Sequence, residues 1–189
     1  MRRASILLLP LLLAGAPARP DTAPRESAHL VTVPADTVTC SISAWSSDPD
    51  PHGLNMRSAP DAKAPVIARF VQRSDADGML VEFSVIGFRG GWFLVERASY
   101  GDYGDPPPAV PLYAGKGWVH GSKLGGQLFA GRFHDRPDDA APSRPYGVDT
   151  DAVQVRQLLA CRGDWARVAT DVGTGWVKGL CSNQVTTCV

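Results

Sequence analysis

The chain alternates short apolar runs with polar turns rich in glycine, aspartate and proline. The runs TVTCSISAW, VIARFV, MLVEFSVIGF, WFLVERA and GWVHG are short and carry the valine, isoleucine, phenylalanine and tryptophan typical of strands. Turns such as SSDPDPHG, RSDADG and RGG separate them. The 19 glycines and 16 prolines oppose long helices, since each interrupts helical continuity. The pattern predicts an all-β protein.

Three short blocks occur twice along the chain, in the same order. PDAKAP (60–65), FRGGWFLV (88–95) and GKGWVHG (115–121) are matched by PDDAAP (137–142), CRGDWARV (161–168) and GTGWVKG (173–179). Ordered repetition of this kind predicts two copies of one β-module. Only the first copy carries about fifteen extra residues, which fall within ASYGDYGDPPPAVPLYAGK (98–116) and which the glycines and prolines there predict to form a long loop.

The first 18 residues differ from the rest. MRRASILLLPLLLAGAPA joins two arginines, an apolar run and a small-residue ending, which are the three parts of a secretory signal peptide. The apolar run is shorter than the roughly 20 residues that a membrane-spanning helix needs. We therefore expect residues 1–18 to be a removed signal peptide, residues 19–37 to be a flexible lead-in, and the product to be periplasmic or secreted, with no membrane span.

Export gives the four cysteines a structural role. In an oxidising compartment, an even number of cysteines in a small domain favours disulfides, and no histidine has zinc-ligand spacing near a cysteine. Four cysteines allow three pairings, and Cys161 could bond to a C-terminal cysteine instead of an N-terminal one. We predict one bond from Cys40 to the second module and one within the C-terminal segment, which holds Cys181 and Cys188.

Charge and motifs exclude several function classes. Loss of Arg2 and Arg3 with the signal peptide takes the basic count from 19 to 17 against 19 acidic residues, and the basic residues are scattered. Such a surface has no general attraction for nucleic acid. The chain has no Gly-x-Ser-x-Gly, phosphate loop or His-Glu-x-x-His motif. We predict that it is not an enzyme and uses no cofactor or metal.

The segments LNMRSAPDAKAPVIARF, VIGFRGGWFLV and GKGWVHGSKLGG resemble the bacterial SH3-like (SH3b) domain. That family's pattern is leucine-asparagine-x-arginine-x-glycine-proline, a valine-rich strand, a hairpin ending in tryptophan and a final glycine-tryptophan-valine. Ala59 stands where glycine is usual, and the second copy has GRFHDRPD in place of the leucine-asparagine start. The resemblance implies two tandem small antiparallel SH3-like barrels, residues 38–126 and a degenerate copy at 127–189.

In such a barrel, strand alternation points Leu54 and Met56 into the core and Asn55 and Arg57 outward. Arg57 is then expected to bond to the turn that follows, so a scaffold role for LNMRSAP is favoured over direct ligand contact. Trp118 is expected to be a packing residue of the last strand.

Binding is favoured over catalysis. Tyr100 and Tyr103 fall in the inserted loop, where aromatic rings commonly contact ligands, although the loop could instead fold back over the barrel. Arg57 and His120 are the candidate polar neighbours. The SH3b resemblance implies a peptidoglycan or cell-wall peptide fragment as partner, with an envelope protein as another partner. The alternative function is a periplasmic inhibitor or sensor that acts on a protein target.

Overall fold

The computed structural model describes residues 30–72, 79–100, 110–146 and 152–184, so the predicted signal peptide, Tyr103 and Cys188 lie outside the described residues. Within these ranges the chain is all-β, as predicted, with twelve strands, one 3-10 helix (Gly121–Lys123) and no α-helix. No helix in these ranges is long and apolar enough to cross a membrane. The strands are β1 (Val38–Ser46), β2 (Leu54–Arg57), β3 (Val66–Phe70), β4 (Val81–Arg89), β5 (Trp92–Tyr100), β6 (Val110–His120), β7 (Leu124–Leu128), β8 (Gly131–His134), β9 (Ser143–Tyr146), β10 (Val153–Arg162), β11 (Trp165–Thr170) and β12 (Gly173–Val177).

The described strands form one continuous antiparallel sheet in the order β3-β2-β6-β5-β4-β1-β7-β10-β11-β12-β8-β9. From one edge inward, the strands are the short β2–β3 hairpin, then β6, then the long β4–β5 hairpin. From the other edge inward, they are the short β8–β9 hairpin, then β12, then the β10–β11 hairpin. The two halves meet at β1, which pairs with β4 of the first half, and at β7, which pairs with β1 and with β10 of the second half. The two halves thus share one strand order. Because the sheet is continuous, two separate SH3-like barrels stay a prediction.

Strand β7 belongs to both halves. Its first residues pair with β1 and its last residues pair with β10. A side chain at Gly125 or Gly126 would come within 2.8 and 2.9 Å of the carbonyl oxygens of Val155 and Cys181, so only glycine lets these backbones approach. The predicted module boundary, between residues 126 and 127, falls inside this strand.

Strand β2 has the alternation predicted for LNMR. Leu54 and Met56 are buried, whereas Asn55 and Arg57 are partly exposed. The Met56 side chain packs on the backbone of β6 at Gly117, where a Cβ atom would overlap it. The second half repeats this contact, because Phe133 of β8 packs on β12 at Gly175.

Trp118 is fully buried, in agreement with its predicted packing role. Its indole N–H donates to the carbonyl of Thr32 (2.9 Å), and the Thr32 N–H donates to the carbonyl of Ser58 (2.8 Å). This part of the predicted lead-in therefore packs on the first half. The matching Trp176 of the second half is only partly buried.

A buried disulfide between Cys40 and Cys161 joins the two halves, as predicted. The two residues are 121 positions apart in sequence. Cys181 is also disulfide-bonded, and no cysteine in the described ranges is free. The predicted bond within the C-terminal segment involves Cys188, which lies outside the described residues. Buried disulfides of this kind are typical of proteins in oxidising compartments.

We expect replacement of both Cys40 and Cys161 by alanine to lower the free energy of unfolding by about 2–5 kcal/mol, because the bond closes a long loop in the unfolded chain. Urea unfolding of the variant and the parent protein at one pH measures the difference. An unchanged unfolding midpoint would contradict a stabilising role for the bond.

Alanine at Gly117 or Gly175 is expected to lower stability by about 1–3 kcal/mol through overpacking. The loss should be larger at Gly175, because its neighbour is the base of the stiff Phe133 side chain, whereas Met56 can change rotamer. Thermal unfolding of the two variants side by side tests the order, and a larger loss at Gly117 would refute it.

Candidate functional site

Strand pairing brings two of the predicted site residues, Arg57 and His120, into one cleft. Arg57 ends β2 and pairs with Trp118 of β6, two residues before His120 at the end of that strand. Trp92 begins β5 directly opposite His120. The resulting cleft has a volume of about 250 Å³. We call it the Trp92 cleft, and the side chains used below are Asp48, Arg57, Trp92, His120, Ser122 and Lys123.

Arg57 is anchored but not neutralised. Its Nη1 donates to the carbonyl of Ala64 (2.7 Å), which holds the turn after β2, as the sequence predicts. Among the described residues, none places a carboxylate within ion-pair distance of this guanidinium. A guanidinium carries five N–H donors, so most of its donor capacity remains for other partners.

His120 contacts both Trp92 and Ser122 of the 3-10 helix. Its ring meets the Trp92 ring edge to face, with centroids 5.3 Å apart. Its Nδ1 accepts from the backbone N–H of Ser122 (3.3 Å) and lies 2.8 Å from the Ser122 hydroxyl. Because Nδ1 accepts an N–H, the ring proton is assigned to Nε2.

Asp48 and Lys123 form the charged pair of the cleft. The Asp48 side chain is buried (8% exposed), and its Oδ1 lies 2.8 Å from the Lys123 ammonium. The same oxygen accepts from the backbone N–H of Asp50 (3.2 Å). A buried carboxylate needs such partners, so Lys123 is committed to Asp48.

The second half contains a corresponding cleft of about 300 Å³, lined by His134, Trp165 and Lys178. We call it the Trp165 cleft. The Lys178 ammonium lies 4.9 Å from the Trp165 ring centroid, 2.7 Å from Asp139 and 3.7 Å from Asp164. The hydrogen bond to Asp139 raises the pKa of Lys178 further above neutrality. The chain's own cation thus occupies this aromatic surface.

The two clefts occupy the same place in the two repeats, and they differ in the charged groups nearest the tryptophan. The His134 pairing with Trp176 repeats that of Arg57 with Trp118. Neither carboxylate that binds Lys178 has a counterpart in the first repeat. The matched positions are Arg57 and His134, Ala62 and Asp139, Gly91 and Asp164, Trp92 and Trp165, and His120 and Lys178.

The sequence-based site did not include Trp92, Asp48 or Lys123. A signal for Trp92 was present, because it occupies the same place in the repeated hairpin block as Trp165. Asp48 and Lys123 are 75 positions apart and carry no such signal.

Tyr100 lies elsewhere and is not a loop residue. It ends β5 and pairs with Val110, so the inserted segment continues the β5–β6 hairpin on both sides of residues 101–109. The Tyr100 hydroxyl donates to the carbonyl of Val71 (2.7 Å), and Tyr100 lines a separate cleft of about 440 Å³ together with Phe70 and Tyr113. The structure therefore does not bring Tyr100 together with Arg57 and His120. Tyr103 lies outside the described residues.

In the described ranges, no group of three or more histidine, cysteine, aspartate or glutamate side chains could hold a metal ion. Comparisons with protein-family models, with curated proteins and with solved structures find no match to this chain. The SH3b resemblance therefore stays a prediction from sequence.

We expect Tyr100→Ala to lower the free energy of unfolding by about 1–3 kcal/mol, through lost apolar contact and the lost hydrogen bond to Val71. Tyr100→Phe should recover most of this loss, because it keeps the ring. Urea unfolding compares the two variants. Full stability of Tyr100→Ala would show that the residue has no structural role and would return it to the set of contact candidates.

Proposed function

We propose that this protein is a non-catalytic exported binding module, periplasmic or secreted, that binds cell-wall peptide fragments of peptidoglycan through the Trp92 cleft. The observation that carries the proposal is the convergence of Arg57, Trp92 and His120, two of which are binding residues predicted from sequence, on one concave site. A concave site that combines an aromatic surface with a few polar groups is the usual form of a ligand pocket.

We also propose that each half is an SH3-like module. The support is the shared strand order of the halves and the repeated packing of β2 on Gly117 and of β8 on Gly175. The first module holds the open cleft, and the second holds the cleft that Lys178 occupies. The second module is therefore proposed to support the first.

Retention on purified peptidoglycan tests the function. The parent protein should sediment with insoluble cell wall, and Trp92→Ala should weaken this binding at least about tenfold, as expected for a central aromatic contact. Trp165→Ala is the matched control in the second repeat and should bind like the parent. Far-ultraviolet circular dichroism and urea unfolding check that both variants are folded.

Two outcomes would contradict the proposal. Absence of retention by the parent protein would exclude wall binding and favour the inhibitor or sensor hypothesis. Release of soluble wall fragments during the same incubation would show that the protein is an enzyme.

A further inference from the structure

The Trp92 cleft is lined by two cationic side chains, Arg57 and Lys123, and by one carboxylate, Asp48. Lys123 pairs with the buried Asp48 at 2.8 Å, whereas Arg57 has only the neutral Ala64 carbonyl as a partner among the described residues. An arginine presents a planar fork of donors that fits a carboxylate in a bidentate manner. The cleft therefore lacks the anionic partner that this side chain binds best.

The Trp165 cleft provides an internal reference for this imbalance. There Lys178 is the cation beside the tryptophan ring, and both Asp139 and Asp164 neutralise it from within the chain. The first repeat has Ala62 and Gly91 at those two positions, and the carboxylate that lines its cleft, Asp48, binds Lys123. Thus the lysine beside the second tryptophan has carboxylate partners within the chain, whereas Arg57 in the first cleft has none among the described residues.

The size of the Trp92 cleft limits what can enter. Its volume of about 250 Å³ lies below the range of roughly 300–1,000 Å³ that encloses a whole drug-sized ligand. The cleft therefore fits the end of a chain better than its middle. An end that carries a negative charge and small side chains satisfies both the volume and the charge.

From these observations we infer that the Trp92 cleft binds the free terminal carboxylate of a short peptide, with Arg57 as the carboxylate partner. The Ala64 carbonyl orients the guanidinium, and the Trp92 ring packs against the terminal side chain. This inference rests on the proposed function for the location of the site, and it adds the chemical class of the group that is bound.

The test compares a peptide acid with its amide by calorimetric titration of the intact protein. The probe is diacetyl-L-lysyl-D-alanyl-D-alanine, with its C-terminal amide as the uncharged reference. The acid should bind about 10- to 100-fold more tightly, which is the range expected for a charge-assisted bidentate contact. Equal affinity of acid and amide would falsify the carboxylate assignment.

Two variants locate the effect. Arg57→Gln should remove the preference for the acid, whereas Arg57→Lys should retain part of it, because the charge remains without the fork. Arg132→Gln makes the same change in the lining of the Trp165 cleft, where Arg132 bonds to Ser143, and should leave the preference intact. A preference that persists in a folded Arg57→Gln variant would overturn the role of Arg57.

The all-L peptide acid tests whether the cleft recognises any terminal carboxylate or only that of a cell-wall peptide. If the parent protein binds insoluble wall but does not distinguish acid from amide, the proposed function holds and the carboxylate inference fails. If the all-L acid binds and the wall material does not, the carboxylate inference holds and the wall is the wrong partner. If neither the wall material nor any of the peptides binds, both the proposed function and the carboxylate inference are excluded.

Discussion

The structure depends on the pairing of one strand, β7, with both halves of the sheet. Backbone bonding on both sides of β7 requires the close approach of neighbouring chains, which the side-chain-free positions Gly125 and Gly126 allow. The buried Cys40–Cys161 disulfide also joins the two halves here, because it links β1 to β10. Because β7 pairs on both sides, the hairpins that form the Trp92 cleft belong to a sheet whose central strands have no free edge.

Divergence between the repeats follows from this arrangement. Both halves keep the parts that pack, including the contact of β2 or β8 with the glycine of a Gly-Trp-Val strand. The surface positions around the hairpin tryptophan are free of that constraint, and there Ala62 is replaced by Asp139 and His120 by Lys178. The shared scaffold thus carries one cleft whose Arg57 has no carboxylate partner in the described ranges, and one whose Lys178 is neutralised by two aspartates of the chain.

The sequence predicted the strands, the repeat and the environment of Trp118 because these depend on local alternation and turn chemistry. It predicted from the oxidising compartment that Cys40 bonds to the second module, but the choice of Cys161 as the partner became clear only from the structure. It placed Tyr100 in a loop because glycine and proline follow it, whereas pairing with β4 and β6 extends β5 through this residue. The pairing of Asp48 with Lys123 could not be predicted from the sequence, because these two distant positions meet only through tertiary packing.

The contact between Thr32 and Trp118 makes the segment before β1 part of the first half. Thr32 lies 86 residues before the tryptophan whose indole N–H it accepts, and its own N–H donates to the carbonyl of Ser58. Trp118 is fully buried, and a buried donor without a partner costs about 1–3 kcal/mol. A first half trimmed to begin at β1 would therefore lose the carbonyl that satisfies its most deeply buried polar ring.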